Sequence, residues 1–323
     1  MIQKMKFKPL IVLAAVIVLV LFLISVFRDF LIKSAVEVAS PNLIGAKIEI
    51  GDLSLGLMTH KIHIKNFRMY NPPGFPDQVF LAMPEVTLNV DVFQLMKGKM
   101  HFPLVVINMD KMIIFKNKEG KLNVDSIKII QEQAAANKGK PMKLPVFKID
   151  LLELNVGKVI LEDYTHAPPV RVEAYDVNIK DQKIRNINGV PKLMAAVIVE
   201  AMKPTAIRSA GIFAAEAVLG VGFLPAVAIG VAIAQDDVNA DLNYSRGRVY
   251  QESLKLVQDL GVVKKTDPAK GLIFAKVYGA DITITVEDNG WYKSWIRIKA
   301  RQFFLAKLEI ANGLLYQLTE RLK

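Results

Sequence analysis

The chain is expected to be mainly β with an α+β part: an N-terminal transmembrane helix, a curved antiparallel β-sheet shaped as a groove or a sandwich, a helical hairpin, and a small C-terminal α+β sandwich. Three observations carry this expectation. An uncharged apolar run fills Leu10 to Phe27. Between Ile44 and about Glu200 apolar and polar side chains alternate, most strictly in Glu85-Val86-Thr87-Leu88-Asn89-Val90-Asp91-Val92, as in a strand with one wet and one dry face. Helical spacing is clear near the end, at Val249, Tyr250, Leu254, Val257 and Leu260.

Residues 1–33 read as a cytoplasmic tail and anchor. At ~1.5 Å per residue the apolar run crosses most of a ~30 Å hydrocarbon core. Lys4, Lys6 and Lys8 precede it, while Arg28, Asp29 and Lys33 follow with less net charge. The positive-inside rule then puts the N-terminus of a single-pass protein in the cytoplasm and exports the chain from residue 34 onward. The run leads into Ser25-Val26-Phe27-Arg28-Asp29-Phe30, which offers no small-x-small cleavage site. With no cysteine there is neither a lipoprotein anchor nor a disulfide, so an exported domain must rest on its own core.

Residues 34–205 read as a β domain. Alternation recurs at Ile48/Ile50, Ile62/Ile64, Val105/Ile107/Met109, Phe147/Ile149/Leu151 and Val170/Val172, and its parity shifts near Gly51 and Asn66 as bulges or breaks require. Asn71-Pro72-Pro73-Gly74, Asn117-Lys118-Glu119-Gly120 and His166-Ala167-Pro168-Pro169 supply turns, and about nine strands are expected. Ile130 to Lys143, polar and small, reads as a linker. Residues 206–237 hold a second hydrophobic stretch, Ala210 to Ala234, interrupted by Glu216, Pro225 and several glycines. It suits two short helices meeting near Pro225, inserted in a membrane or buried in protein. A full second span is the alternative, but it places Lys203 and Arg208 on the outer side, against the usual bias.

Residues 238–323 read as β-α-β-β-β-α. A strand ends at Tyr244, Ser245 caps a helix and Gly261 stops it. Strands follow at Gly271–Tyr278, Ala280–Glu287 and Trp291–Lys299, with Asp288-Asn289-Gly290 as a hairpin turn, and a helix closes the chain from Gln302 to Leu322.

No constellation for chemistry emerges. The four histidines are scattered, and His60 and His63 fall on opposite faces of a strand. Gly51-Asp52-Leu53-Ser54-Leu55-Gly56 has the wrong spacing for a nucleophile elbow, and phosphate-binding loops are missing. The net charge of +11 is interleaved with acidic residues and has no aromatic ladder beside it, so nucleic acid is not an expected partner. No catalytic residue, metal or cofactor is expected. The dry face is the remaining lead: Val86, Leu88, Val90, Val92, Val105, Ile107 and Met109 either pack inside a sandwich or closed barrel or line a groove for acyl chains.

One resemblance bears on that choice. After the anchor come Ser40-Pro41-Asn42-Leu43-Ile44-Gly45-Ala46-Lys47-Ile48-Glu49-Ile50-Gly51, then Ile62-His63-Ile64-Lys65-Asn66-Phe67 leading into Asn71-Pro72-Pro73-Gly74-Phe75, then Lys97-Gly98-Lys99 before a strand ending near Asp110, and Asn117 to Asn123. Over about residues 5–180 this order resembles the opening of AsmA-like proteins, which are anchored in the inner membrane of Gram-negative-type bacteria. The resemblance implies a curved sheet whose concave apolar face carries phospholipid through the periplasm. Nine strands at ~4.8 Å reach only ~45 Å, too short to bridge an envelope. The last segment resembles a family of small uncharacterised bacterial envelope domains, through Arg248-Val249-Tyr250 and the strands Gly271–Tyr278 and Ala280–Glu287. The expected function is lipid binding or transfer beside the bilayer, with a non-enzymatic structural or adaptor role in an envelope assembly as the alternative. The expected partners are accordingly the bilayer, a phospholipid and an envelope protein.

Overall fold

Alternating apolar positions make strands only where a partner strand continues the dry rows, and two sets of strands do so here. The computed structural model describes residues 29, 33–42, 44–56, 58–128, 130, 146–166, 168–205, 207–220, 237–303 and 305–323. The expected anchor run, most of the linker and the second half of the hydrophobic hairpin lie outside the described residues. Among the described residues no helix is long and apolar enough to cross a membrane.

The first sheet contains β1 (Ile48–Glu49), β2 (Asp52–Gly56), β3 (Lys61–Tyr70), β4 (Val79–Asn89), β5 (Met100–Lys116), β6 (Phe147–Asp163) and β7 (Arg171–Asn188). Its order is β1-β3-β4-β5-β6-β7, with β2 also paired to β3. A helix over 33–42, α1, runs beside β1 and β2. There Ser40 Oγ accepts from the Ile48 N–H at 3.0 Å and Glu37 Oε1 from the Ile50 N–H at 2.7 Å.

The expected parity shifts occur. β1 ends just before Gly51, and Asn66 sits inside β3 at φ 52°. Two further shifts are shared between neighbours. On β4 the buried positions change from Leu81 and Met83 to Val86, while on β5 they change from Met112 to Ile107 at the same level. Because Leu81 pairs with Met112 and Val86 with Ile107, the apolar rows stay aligned through the kink. The strands therefore run on, and among the described residues this sheet has seven, three with 17 or 18 residues, against the nine expected.

Three further expectations are corrected. The sheet is mixed, because β5 and β6 are parallel; the long stretch between them leaves room for a crossover that a hairpin would not need. Residues Gly189–Met202 form a helix, α3, and not a strand. Its Val197-Ile198-Val199 run is β-branched, but Pro191 falls in the first turn, where a missing N–H costs nothing. Finally, β4 stops at Asn89, and Asp91 caps a short helix, α2 (Val92–Met96), by accepting from the Gln94 N–H at 3.1 Å. Val90 and Val92 are thus not strand residues.

The second hydrophobic stretch begins as helix α4 (Ala210–Leu219), capped by Ser209 and ended by Gly220 at φ 71°. It ends before the expected break at Pro225, because glycine takes the left-handed conformation without penalty. Gly51 to Gly56 lies along β2 with Leu53 buried and Ser54 exposed, which is no nucleophile elbow.

The second sheet has the order β13-β12-β11-β10-β9, with β8 on β12. Its strands are β8 (Asp237–Leu242), β9 (Gly261–Asp267), β10 (Leu272–Val277), β11 (Ala280–Asp288), β12 (Ser294–Gln302) and β13 (Leu305–Ala306). Helices α5 (Arg246–Leu260) and α6 (Leu308–Leu322) bury their apolar faces with it. Cross-strand rows such as Ile273, Ile284 and Ile298 form its dry face. Ser245 caps α5, as expected from its sequence. β9 and β13 were not expected; Gly261 both stops α5 and opens β9.

Helix α6 also lies against β7. A side chain at Gly313 would land on the Val172 carbonyl oxygen, so backbone meets backbone there. Tyr278 donates to the Val170 carbonyl at 2.7 Å, and Tyr316 lies 3.5 Å from Lys111 Nζ. A small core of Ile113, Phe115, Ile160, Val172 and Ala174 forms on this side of the first sheet.

Candidate functional site

Of the seven dry-face candidates, the structure brings four together in the interior. Val86, Val105, Ile107 and Met109 are no more than 8% exposed and belong to one core cluster. Val86 pairs with Ile107, and Ile107 with Leu154; Leu88 pairs with Val105, and Val105 with Leu152. The same cluster contains Ala195, Val197, Ile198 and Val199 of α3 and Ile212 and Ala215 of α4. α3 is apolar nearly all round, the composition of a helix buried on several sides. Leu88 is half-buried at the margin of this core, and Val90 and Val92 are half-buried beyond the strand end.

Toward the far end of β5 a cleft of ≈ 470 Å³ opens between the sheet and the start of α4. Leu122, Leu161 and Ile207 line it together with Lys116, Asp125, Glu173, Tyr175 and Arg208. Its charged groups are engaged by their own chain. Lys116 pairs with Asp163 at 3.2 Å, Glu173 pairs with Arg171 and accepts from the Tyr175 hydroxyl at 2.7 Å, and Asp125 Oδ1 accepts from the Gly211 N–H at 2.6 Å. Arg208 donates to the Thr205 and Ile207 carbonyls. Burial and the adjacent Glu173 carboxylate push the Tyr175 phenol well above its usual range, so it stays a neutral donor. The cleft is braced for rigidity more than for proton transfer.

The opposite end of the sheet holds a polar constellation that the sequence does not reveal. His101 Nε2 lies 2.8 Å from Asp150 Oδ2, and Nδ1 lies 3.1 Å from Asp91 Oδ2. A carboxylate facing each ring nitrogen is satisfied on both sides only by the imidazolium. The Asp150 and Asp91 contacts raise the His101 pKa above 6.5. In return Asp150 is lowered by Lys148, 2.6 Å away, and by His101, and Asp91 by the Gln94 N–H and His101. Asp91 is the cap of α2, so the bridge ties that helix to the parallel β5–β6 pair. The sequence distances from 91 to 101 and from 101 to 150 carry no periodic signal; the parallel register that sets Lys148 beside His101 creates the site. Elsewhere His63 contacts Thr87, and His60 sits in the β2–β3 turn. Among the described residues no His, Asp and Glu cluster is arranged to hold a metal ion.

Comparison with known proteins finds no match to a protein-family model, to a curated protein or to a solved structure.

Proposed function

We propose that this chain is a non-enzymatic structural or adaptor protein of a bacterial cell envelope, AsmA-like over its first half. In this reading the Leu10–Phe27 run anchors it in the inner membrane, with the N-terminus cytoplasmic and the two sheets periplasmic. One observation carries the choice of adaptor over lipid carrier: the apolar face expected to hold lipid belongs to a core that includes the chain's own α3 and α4. An acyl chain entering there must displace helices that already exclude water. Outside that core an exposed aromatic pair stands at the turn between β11 and β12. Trp291 and Tyr292, 92% and 75% exposed, meet edge-to-face with ring centres 5.9 Å apart. These residue types are enriched among the anchors of protein interfaces.

Lipid binding stands as the second reading, favoured by the half-buried Leu88 at the margin of the core. A photo-crosslinking residue placed at position 107, and separately at 88, in the full chain in native membranes separates the two. The adaptor reading expects adducts within the chain from position 107. Phospholipid attached at 107 overturns it in favour of a carrier. Topology is tested by single cysteines at Asn117 and Asn289, both of which should be labelled from the periplasmic side.

A further inference from the structure

We propose that the end of the first sheet formed by the β2–β3 turn and α2 rests on the surface of an anionic phospholipid bilayer. Met58, Phe93 and Met96 sit at headgroup level, with Lys97 and Lys99 against the lipid phosphates. This deepens the anchored reading above and rests on it.

Apolar side chains project from this end: Met58 is 95% exposed, Phe93 80%, Met96 81% and Leu95 49%, with Val146 at 83% just before β6. Scattered exposed apolar residues are ordinary, but a cluster marks a contact surface. α2 buries none of its residues, so its apolar side chains serve no core. The two turns are joined, because Val90 donates to the His60 carbonyl at 2.8 Å. The tip is also braced from within. Asp91 caps α2, and His101 links that cap to Asp150 on β6. Thus the local carboxylates Asp91 and Asp150 are paired within the chain while Lys97 and Lys99 are exposed.

The position of Asp29 names the occupant. Its Oδ2 accepts from the Leu55 N–H at 3.4 Å, one residue before β2 ends at Gly56. The chain therefore meets the sheet at this same end, two residues after the uncharged run that finishes at Phe27. A bilayer that receives that run lies beside Met58 and α2. Apolar side chains flanked by lysines are the composition that settles at the headgroup–acyl boundary, reaching ~5–10 Å into it and gaining from anionic headgroups.

The chain has no cysteine, so Met58→Cys, Phe93→Cys, Met96→Cys and Glu119→Cys can each carry one environment-sensitive fluorophore. The full chain is reconstituted into vesicles of phosphatidylethanolamine and phosphatidylglycerol and first tested by flotation. Positions 58, 93 and 96 should show blue-shifted emission and quenching by lipids bearing a headgroup-region nitroxide. Position 119, at the other end of β5 and ~50 Å away at ~3.3 Å per residue, should show neither. Lys97→Glu with Lys99→Glu should reduce the quenching, most at low salt. If the chain floats but 93 and 96 stay in water, docking is overturned and the anchor stands. A blue shift without lipid quenching means that a second copy or another protein covers the tip, which also overturns the proposal. If the chain does not float, the anchored reading fails and docking falls with it.

Discussion

Replacing Ile107 with alanine separates a core from a groove. Ile107 is 3% exposed, flanked by Val86 and Leu154 across the strands, and shares a cluster with α3. The change removes three carbons, worth about 2.4 kcal/mol at ~0.8 kcal/mol each. Strands on both sides limit collapse, and a residual cavity of ~50 Å³ adds about 1.2 kcal/mol at ~24 cal/mol per Å³. The total, about 3.6 kcal/mol, corresponds to a ~400-fold change in an opening equilibrium at ~1.4 kcal/mol per decade. Hydrogen exchange of the full chain in lipid nanodiscs is the suitable assay, read on peptides covering β5. Intrinsic fluorescence is not, because of the two tryptophans of the chain Trp295 lies on β12 and Trp291 in the turn before it. A groove residue touching lipid or solvent would leave β5 protection nearly unchanged. An acceleration below about threefold, equivalent to ~0.6 kcal/mol, refutes the closed face.

Gly313→Ala should leave α6 helical, since alanine favours a helix by about 1 kcal/mol over glycine. The new methyl meets the Val172 carbonyl, however, so exchange at residues 171–176 should speed up while the helical circular dichroism holds. Ser245→Ala removes the cap that accepts from the Arg248 N–H and should cost about 1 kcal/mol, seen as a lower urea midpoint of the second sheet by tryptophan fluorescence. The His101 bridge gives a pH dependence with a definite sign. Its folded pKa is raised, so its stabilisation is fully present below the unfolded value near ~6.5 and fades as pH climbs through the folded value. The urea midpoint of the first sheet should accordingly fall on going from pH 6 to 8.5, whereas in His101→Gln, about 1 kcal/mol weaker at pH 6 given the partial exposure of the bridge, that pH dependence should vanish.

Much of the second sheet is legible because local rules decide it. Ser245 is followed by helical spacing to Leu260, and an Asp288-Asn289-Gly290 turn joins two alternating strands, so these elements announce their own ends, whereas the closing helix starts at Leu308 and not at Gln302, which ends β12. In the first sheet alternation correctly marks the dry face but says nothing of what dries it. That cover comes partly from Gly189–Met202, whose short apolar run is ambiguous between strand and helix by periodicity alone. Alternation also outlasts the strand. Val90 and Val92 continue the pattern on paper, but Asp91 can close a helix turn, and in the fold it does.

The difference decides function more than it decides fold class. A sheet with an uncovered dry face beside a bilayer invites a lipid, whereas one carrying its own helices has already met its demand for apolar contact. Apolar surface then signals a partner only where the fold leaves it over. Among the described residues two such groups bear on function. Trp291 and Tyr292 stand out at a hairpin of the second sheet. Met58, Phe93 and Met96 cluster where Asp29 returns the chain toward its longest apolar run. The first suits a protein surface, since aromatic rings give contact area at low entropic cost. The second is flanked by lysines and lies beside Asp29, two residues after the apolar run, as the proposed docking on lipid headgroups requires. If the chain is anchored and carries a partner as proposed, the first sheet stands between the two, with its interior rows packed against its own helices.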